Sequence, residues 1–256
     1  MRIMTFNLRF ENDMDGSNAW SFRRELVIHV IKRHKPAILG TQEGMWPQLE
    51  FIRDNLPEYH LHSPDRVLDG TSQYPTLFFL KDRFSIHEGG EFWLSETPKV
   101  HRSKSWDSAF PRMMNYARVS ENNNGHPFWV AVTHLDHMGA KARYEQAKIL
   151  AQWVKARKGP VILMGDFNDS PGSPSHALLT SKETGLLDTW EILDGKEDKS
   201  SFTQHGFTGV PRKTRMDWIL VSAHFHVTET KIIKDHLGNR YPSDHFPYMV
   251  KLRMKN

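Results

Sequence analysis

Short apolar runs that end on a chemically capable polar residue constrain this chain more than any other feature of its sequence. Asn7, Glu43, His134, Asp166, Asn168, Asp217, Asp244 and His245 each stand at or next to the end of a predicted strand. Side chains alternate across a strand, so a sheet that aligns such ends gathers residues far apart in sequence at one edge. A pocket built that way needs several strands in register and helices to cover their apolar faces.

The elements follow from the pattern. Ile3, Thr5 and Asn7 alternate with Met4, Phe6 and Leu8, which predicts a strand with Asn7 at its exit. Ser17 or Asn18 can cap a helix through Phe22, Leu26, Ile28, Val30 and Ile31 that ends near Pro36, and a strand from Ala37 to Thr41 then delivers Gln42 and Glu43. A short helix over Pro47 to Asn55 precedes strands at Thr76 to Leu80, Phe84 to Glu88, Glu91 to Leu94 and Tyr116 to Val119, with turns at Lys81-Asp82-Arg83 and Asn122 to Gly125. Phe128 to Thr133 alternates as a strand. Ala142 to Arg157 is amphipathic and stops at Gly159-Pro160, and Val161 to Met164 reads as a buried strand ending at Gly165-Asp166. Further strands are expected at Met216 to Ser222, Val227 to Ile233 and Phe246 to Arg253. The longest loops, Ser95 to Met114 and Asp194 to Thr214, are where substrate selection is expected.

No repeat or linker divides the 256 residues, so one domain spanning residues 1–256 is expected. No apolar run reaches the roughly 18 residues of a membrane span, and no signal peptide is visible at Met1-Arg2-Ile3-Met4, which together suggest a cytoplasmic protein with no obligate protein partner in view. The chain has no cysteine, which excludes disulfides, thiolate nucleophiles and Cys-ligated zinc and leaves oxygen ligands or imidazoles for any metal. Thirty-four Lys and Arg against 30 Asp and Glu give a charge of +4 without a long basic run, so composition does not choose between a polynucleotide and a small phosphorylated substrate.

Hydrolysis of a phosphate ester requires neutralised phosphoryl oxygens, a water aimed in line and a stabilised leaving oxygen. Glu43, directly after an apolar strand, suits magnesium as a hard oxygen ligand, or else is a solvated residue at a helix start. Asp166 and Asn168 point the same way and can hold one water, or form an Asx turn. His134 and His137, three apart, could bind zinc, but at a strand end His134 reads better as a phosphate or leaving-group contact. Asp217 inside an apolar strand needs a partner, and His245 of Ser243-Asp244-His245-Phe246-Pro247 is the obvious one, unless that pentapeptide is only a polar turn. Arg112 is either a phosphate contact or one half of a surface salt bridge, and Trp93 and Trp106 either stack on a ligand or are buried for structural reasons.

Together, Thr5-Phe6-Asn7, Gln42-Glu43, Thr133-His134-Leu135, Gly165-Asp166-Phe167-Asn168, Arg215-Met216-Asp217-Trp218-Ile219 and Ser243-Asp244-His245-Phe246-Pro247 resemble, in order and over nearly the whole chain, the endonuclease/exonuclease/phosphatase superfamily. Phe92 to Pro98, Ser105-Trp106-Asp107 and Pro111-Arg112 are similar to a compact bacterial branch allied to the deadenylase-like enzymes. The resemblance implies an α/β (α+β) four-layer sandwich of two packed mixed β-sheets flanked by helices, with the site at one end. It implies Glu43 as the principal Mg2+ ligand with Asn7 beside it, Mn2+ able to substitute, and Asp244 on a second metal. It also implies that Asp166 and Asn168 position the attacking water, and that His245, oriented by Asp217, binds the scissile phosphate with help from His134.

Three functions compete. A magnesium-dependent phosphodiesterase or phosphatase acting on small phosphorylated molecules leads. A DNA or RNA nuclease of the same superfamily would add a basic track beside the site. An inactive scaffold that binds a phosphorylated ligand would be expected to have lost some of Glu43, Asp166, Asn168 or His245, and all four are present.

Overall fold

The structure is a computed structural model that describes residues 1–123 and 125–255. Strand β1 (Arg2–Asn7) leads through α1 (Trp20–His34) to β2 (Ile38–Gly44), and α2 (Trp46–Asn55) precedes β3 (Tyr59–His62) and β4 (Tyr74–Leu80). The middle of the chain forms β5 (Phe84–Trp93), β6 (Met113–Glu121), β7 (Phe128–His134), α3 (Ala140–Lys155) and β8 (Val161–Asp166). Then come α4 (Pro174–Leu179), β9 (Leu186–Asp188), α5 (Thr189–Ile192), β10 (Asp217–Ser222), β11 (Phe225–Ile232) and β12 (Tyr248–Met254).

The strands make two six-stranded sheets, ordered β11-β12-β1-β2-β4-β3 and β5-β6-β7-β8-β10-β9. Each is mixed because it contains one parallel pair, β1 with β2 and β7 with β8, joined by a crossover helix. Period-2 alternation sorts the apolar side chains into layers. Ile3, Ile38 and Leu77 meet Val132, Ile162 and Met164 between the sheets. Met4, Phe6 and Leu39 face the other way, onto Val27 and Ile31 of α1 and Leu49 and Ile52 of α2. Ala131 and Leu163 pack on Ala147, Leu150 and Val154 of α3. The expected four-layer sandwich is therefore the observed one.

Some local expectations need correction. The first helix is capped by neither Ser17 nor Asn18: Ala19 takes the N-cap position without a side-chain bond, and Asn18 offers its backbone carbonyl to Arg23 instead. Its apolar stripe is also rotated, because Phe22 is 59% exposed while Arg23 is buried. The two strands expected over Phe84 to Leu94 are one strand carrying a bulge between Ile86 and Glu88. Short β3, α4, β9 and α5 add to the pattern. The turn at Lys81-Asp82-Arg83 forms, whereas the one expected over Asn122 to Gly125 includes Asn124, outside the described residues.

Candidate active site

Strand register assembles the site. In the parallel pairs, Asn7 lies opposite Gln42 and His134 opposite Asp166, and the antiparallel β8·β10 pair sets Asp166 opposite Asp217. A cavity of about 540 Å3 opens at this end of the sandwich, lined by six of the nine predicted residues: Glu43, Arg112, His134, Asp166, Asn168 and His245. Asn7 and Asp217 lie directly behind it. Asn7 Nδ2 donates to Glu43 Oε1 (3.0 Å) and to Asp166 Oδ2 (2.9 Å), stitching the two sheets together, and His245 Nδ1 sits 2.8 Å from Asp217 Oδ2. Asp244 stands beside the cavity, near enough for the charges of His245, Glu43 and Arg9 to act on it. It is absent from the cavity lining, its carboxylate accepts from Ser243 Oγ (3.3 Å), and its backbone carbonyl receives the N–H groups of His205 and Gly206.

Glu43 reaches this position through strain. The β2–β4 register shifts between Thr41 and Gly44, and Glu43 adopts φ +61°, a left-handed conformation disfavoured for a side chain of its kind. Its Oε2 accepts the Phe10 N–H (3.1 Å), so the loop after β1 and the bulge in β2 hold each other.

For Asp166, the two readings of Gly165 to Asn168 turn out not to be alternatives. Asp166 Oδ1 accepts the Asn168 N–H (2.9 Å), which is the Asx turn, and Oδ2 remains facing Asn7, His134 (3.4 Å) and His245 (3.9 Å). Asn168, at φ +50°, sends its amide Nδ2 to the Leu135 carbonyl (3.0 Å) and lies 2.9 Å from His134 Nε2. Burial, reinforced by the neighbouring Asp217, raises the pKa of Asp166 above the usual carboxylate range, while His245 and the Asn168 and Asn7 bonds oppose the rise.

The two imidazoles are driven in opposite directions. Burial works against a charged His245, but the carboxylates of Asp217 and Asp166 outweigh it and lift the pKa to about 10. Burial together with Arg112 pushes His134 well below its ordinary value, so this ring is neutral. Arg112 has only donors, and its Nη1 lies 3.0 Å from His134 Nδ1, which makes Nδ1 an acceptor, while Nε2 faces the Asn168 amide Nδ2 at 2.9 Å and Asp166 Oδ2 at 3.4 Å. One cationic and one neutral histidine thus flank a single carboxylate.

Arg112 is 6% exposed, so it is not half of a surface salt bridge. His134 and His137 both face it through Nδ1, His137 at 3.1 Å from Nη2, and this arrangement takes the place of the zinc pair that their spacing suggested. Asp136 holds the loop that carries Arg112. One of its oxygens receives Ala109 N–H (3.0 Å), Phe110 N–H (3.3 Å) and Ser108 Oγ, the other receives Met138 N–H (3.0 Å) and Gly139 N–H (2.7 Å). Trp93 is buried in the core under the first sheet, and Trp106 is half-buried.

Several contributors escape a reading of the sequence. Arg23 is buried, and its guanidinium holds the carbonyls of Leu8, Arg9 (2.6 Å) and Pro242 (2.9 Å), tying the loop after β1 to the loop before β12. Desolvation lowers its pKa to about 10. Thr203 Oγ1 receives the backbone N–H groups of Met216 and Asp217, and Gln204 bridges to His245. Arg9, Phe110, Lys213 and Thr214 are among the other residues of the cavity wall, so both of the long loops singled out in the sequence reach it.

Ligand atoms of Glu43, His134 and Asp166 lie within 4.8 Å of one another, as do those of Asp166, Asp217 and His245. His245 is cationic and its Nδ1 is engaged by Asp217, and both His134 nitrogens are engaged, Nδ1 by Arg112 and Nε2 by the Asn168 amide, so the remaining donors are carboxylate oxygens of Glu43 and Asp166. That donor set fits a hard divalent cation.

Residues 4–245 match the profile of the Endonuclease/Exonuclease/phosphatase family. Over all of this chain and 98% of its own length, an endonuclease/exonuclease/phosphatase family protein from Bacteroides thetaiotaomicron superposes with a TM-score of 0.90 at 31% identity. A mannosyl-6-phosphatase from Bacteroides thetaiotaomicron VPI-5482 superposes with a TM-score of 0.88 at 31% identity, covering 99% of this chain and all of that one. Mouse nocturnin is 23% identical over 253 residues, 89% of this chain, and the chain spans only 56% of nocturnin's length.

Proposed function

The chain belongs to the endonuclease/exonuclease/phosphatase family, and from that premise we propose that it is a magnesium-dependent hydrolase of phosphate esters on small phosphorylated molecules, with Mn2+ able to substitute. The observation that carries the proposal is the cationic His245, held by buried Asp217 and facing Asp166 beside the Asn7–Glu43 pair. A scaffold that merely bound phosphate would have no need of a strained Glu43 or of a buried carboxylate with a raised pKa.

Glu43 would hold the cation, with Asn7 fixing the carboxylate through its 3.0 Å bond. When bound, the metal supplies charge neutralisation at the phosphoryl oxygens and the leaving oxygen. Asp166, whose raised pKa suits proton acceptance near neutrality, takes the proton of the attacking water, and the Asn168 amide orients that water. His245 remains charged through neutral pH and donates to a phosphoryl oxygen from Nε2, while His134 assists by holding Arg112, whose fixed positive charge faces the cavity. Asp244, which the resemblance assigns to a second metal, has Glu43 and Arg9 among the charges that act on it.

The test is hydrolysis of para-nitrophenyl phosphate and bis-para-nitrophenyl phosphate with Mg2+, Mn2+ or EDTA, for the wild type, Glu43→Ala and His245→Ala. Metal-dependent turnover that both substitutions abolish is expected, and the preferred ester separates phosphatase from phosphodiesterase. Turnover that survives both substitutions would overturn the proposal. Cleavage of DNA or RNA in preference to both esters would move the protein to the nuclease reading.

A further inference from the structure

Beside the cavity, on the far side of Phe110, lies a second hollow of about 100 Å3 lined by Thr71, Ser72, Gln73, Trp93, Arg102 and Pro111 as well as Phe110. Phe110 and Gln73 line both spaces and so form the wall between them. Phe110 is 50% exposed, yet it is not loose. Its N–H is held by buried Asp136, its carbonyl accepts from Ser108 Oγ (2.7 Å), and its ring stacks on His137 at 5.6 Å and 28°. Since His137 in turn meets Arg112, the exposed aromatic face is fixed relative to the cationic group in the cavity.

Among the described residues, three buried polar atoms on these walls lack hydrogen-bond partners: Ser72 Oγ, on a side chain only 5% exposed, Arg112 Nε and Gln204 Oε1. A buried polar group left unpaired is costly, and at a cavity wall it marks where a ligand atom completes the bond. The second hollow adds a guanidinium fixed in place, since Arg102 Nη1 donates to Asp69 (2.9 Å) and to Thr71 Oγ1 (2.8 Å). A fixed aromatic face next to a hydroxyl, an amide and a guanidinium is complementary to a ring with C–H groups on one face and hydroxyls around its edge.

We propose that Phe110, Gln73 and Ser72 form a subsite for the organic part of the substrate, and that this part is a hydroxylated sugar ring whose phosphate reaches Arg112 and His245. This assignment rests on the phosphohydrolase reading of the cavity and names its substrate class.

The experiment compares kcat/KM for a hexose 6-phosphate, acyclic glycerol 3-phosphate and a nucleoside 5′-monophosphate in the Mg2+-loaded wild type, Phe110→Ala and Ser72→Ala. Saturation-transfer NMR of the same three ligands bound in EDTA accompanies the kinetics. In Phe110→Ala the preference for hexose phosphate over glycerol phosphate should fall about tenfold, mainly through KM, and magnetisation transfer to the ring protons should be lost. Ser72→Ala should reduce the same preference to a smaller degree. An unchanged preference in Phe110→Ala overturns the subsite even if hydrolysis is robust. Ring-proton transfer that depends on Phe110, without hydrolysis of any ester, supports the subsite and removes the phosphohydrolase reading. Binding of the nucleotide in place of the hexose phosphate, or of none of the three, overturns the sugar assignment.

Discussion

Asp217 Oδ2 lies 2.8 Å from His245 Nδ1, and this buried pair is what keeps a fully desolvated imidazole cationic. An amide in place of the carboxylate removes most of the charge that supports it. In Asp217→Asn the alkaline limb of the kcat/KM profile, set by His245 near its pKa of about 10, should move to lower pH. The rate at neutral pH should fall about 10²- to 10⁴-fold. A profile that keeps its alkaline limb in place would separate His245 from the rate-limiting step.

Glu43 invites a stability measurement. At φ +61° it occupies a conformation that glycine adopts without strain, and its charge stands near Asp166 and Asp244. Glu43→Gly should therefore abolish activity while the protein withstands denaturant as well as the wild type or better, by about 1 kcal/mol. Clear destabilisation would show that the bonds from Asn7 and Phe10 outweigh the strain.

Two buried histidines that take no part in the proposed proton transfer predict how acid acts on the fold. Burial lowers His62 to about 4 and His205 to about 3, against an ordinary value of 6.5. A folded-state pKa below the unfolded one means that the unfolded chain binds more protons, so the stability is fully present above pH 6.5 and is lost as pH falls toward 4 and then 3. The melting temperature should drop across that window. His62→Gln should flatten its upper part, and a slope unchanged by this substitution would place the acid sensitivity elsewhere.

Gly165 sits opposite Thr133 in the β7·β8 pair, with no room for a side chain. It has φ +154°, and a Cβ there would stand 2.1 Å from the Thr133 carbonyl oxygen, one residue from both His134 and Asp166. Gly165→Ala should cost ~3 kcal/mol or more in chemical denaturation. A near-neutral result would mean that the two strands can part without harm to the fold.

The strand ends were legible because each joins an apolar run to a polar exit, and period-2 alternation survives in a single sequence. Asn7, His134 and Asp166 fall where that pattern puts them. The parts that could not be read act across long separations. Arg23 looks like an exposed helix position until the carbonyls of Leu8, Arg9 and Pro242 are seen around it, and Asp136 looks like a loop acid until five donors converge on it. Arg112 was named from its neighbours in sequence, but its burial against His134 and His137 depends on how β6 and β7 pair. Strand β9 has only three residues, too few to show a period. Strand β3 alternates two histidines with two apolar residues and reads equally well as loop.

The Arg23 clamp has a consequence for synthesis. The guanidinium and the Pro242 carbonyl it grips are 219 residues apart, and β1 pairs on one side with β12. While the chain is still on the ribosome, a protein made as far as β11 has Glu43 and Asp166 but neither His245 nor the strand that joins β11 to β1. Nascent chains, and fragments truncated before Pro242, therefore lack an assembled cavity, and the proposed centre is complete only once translation has passed the far end of the site.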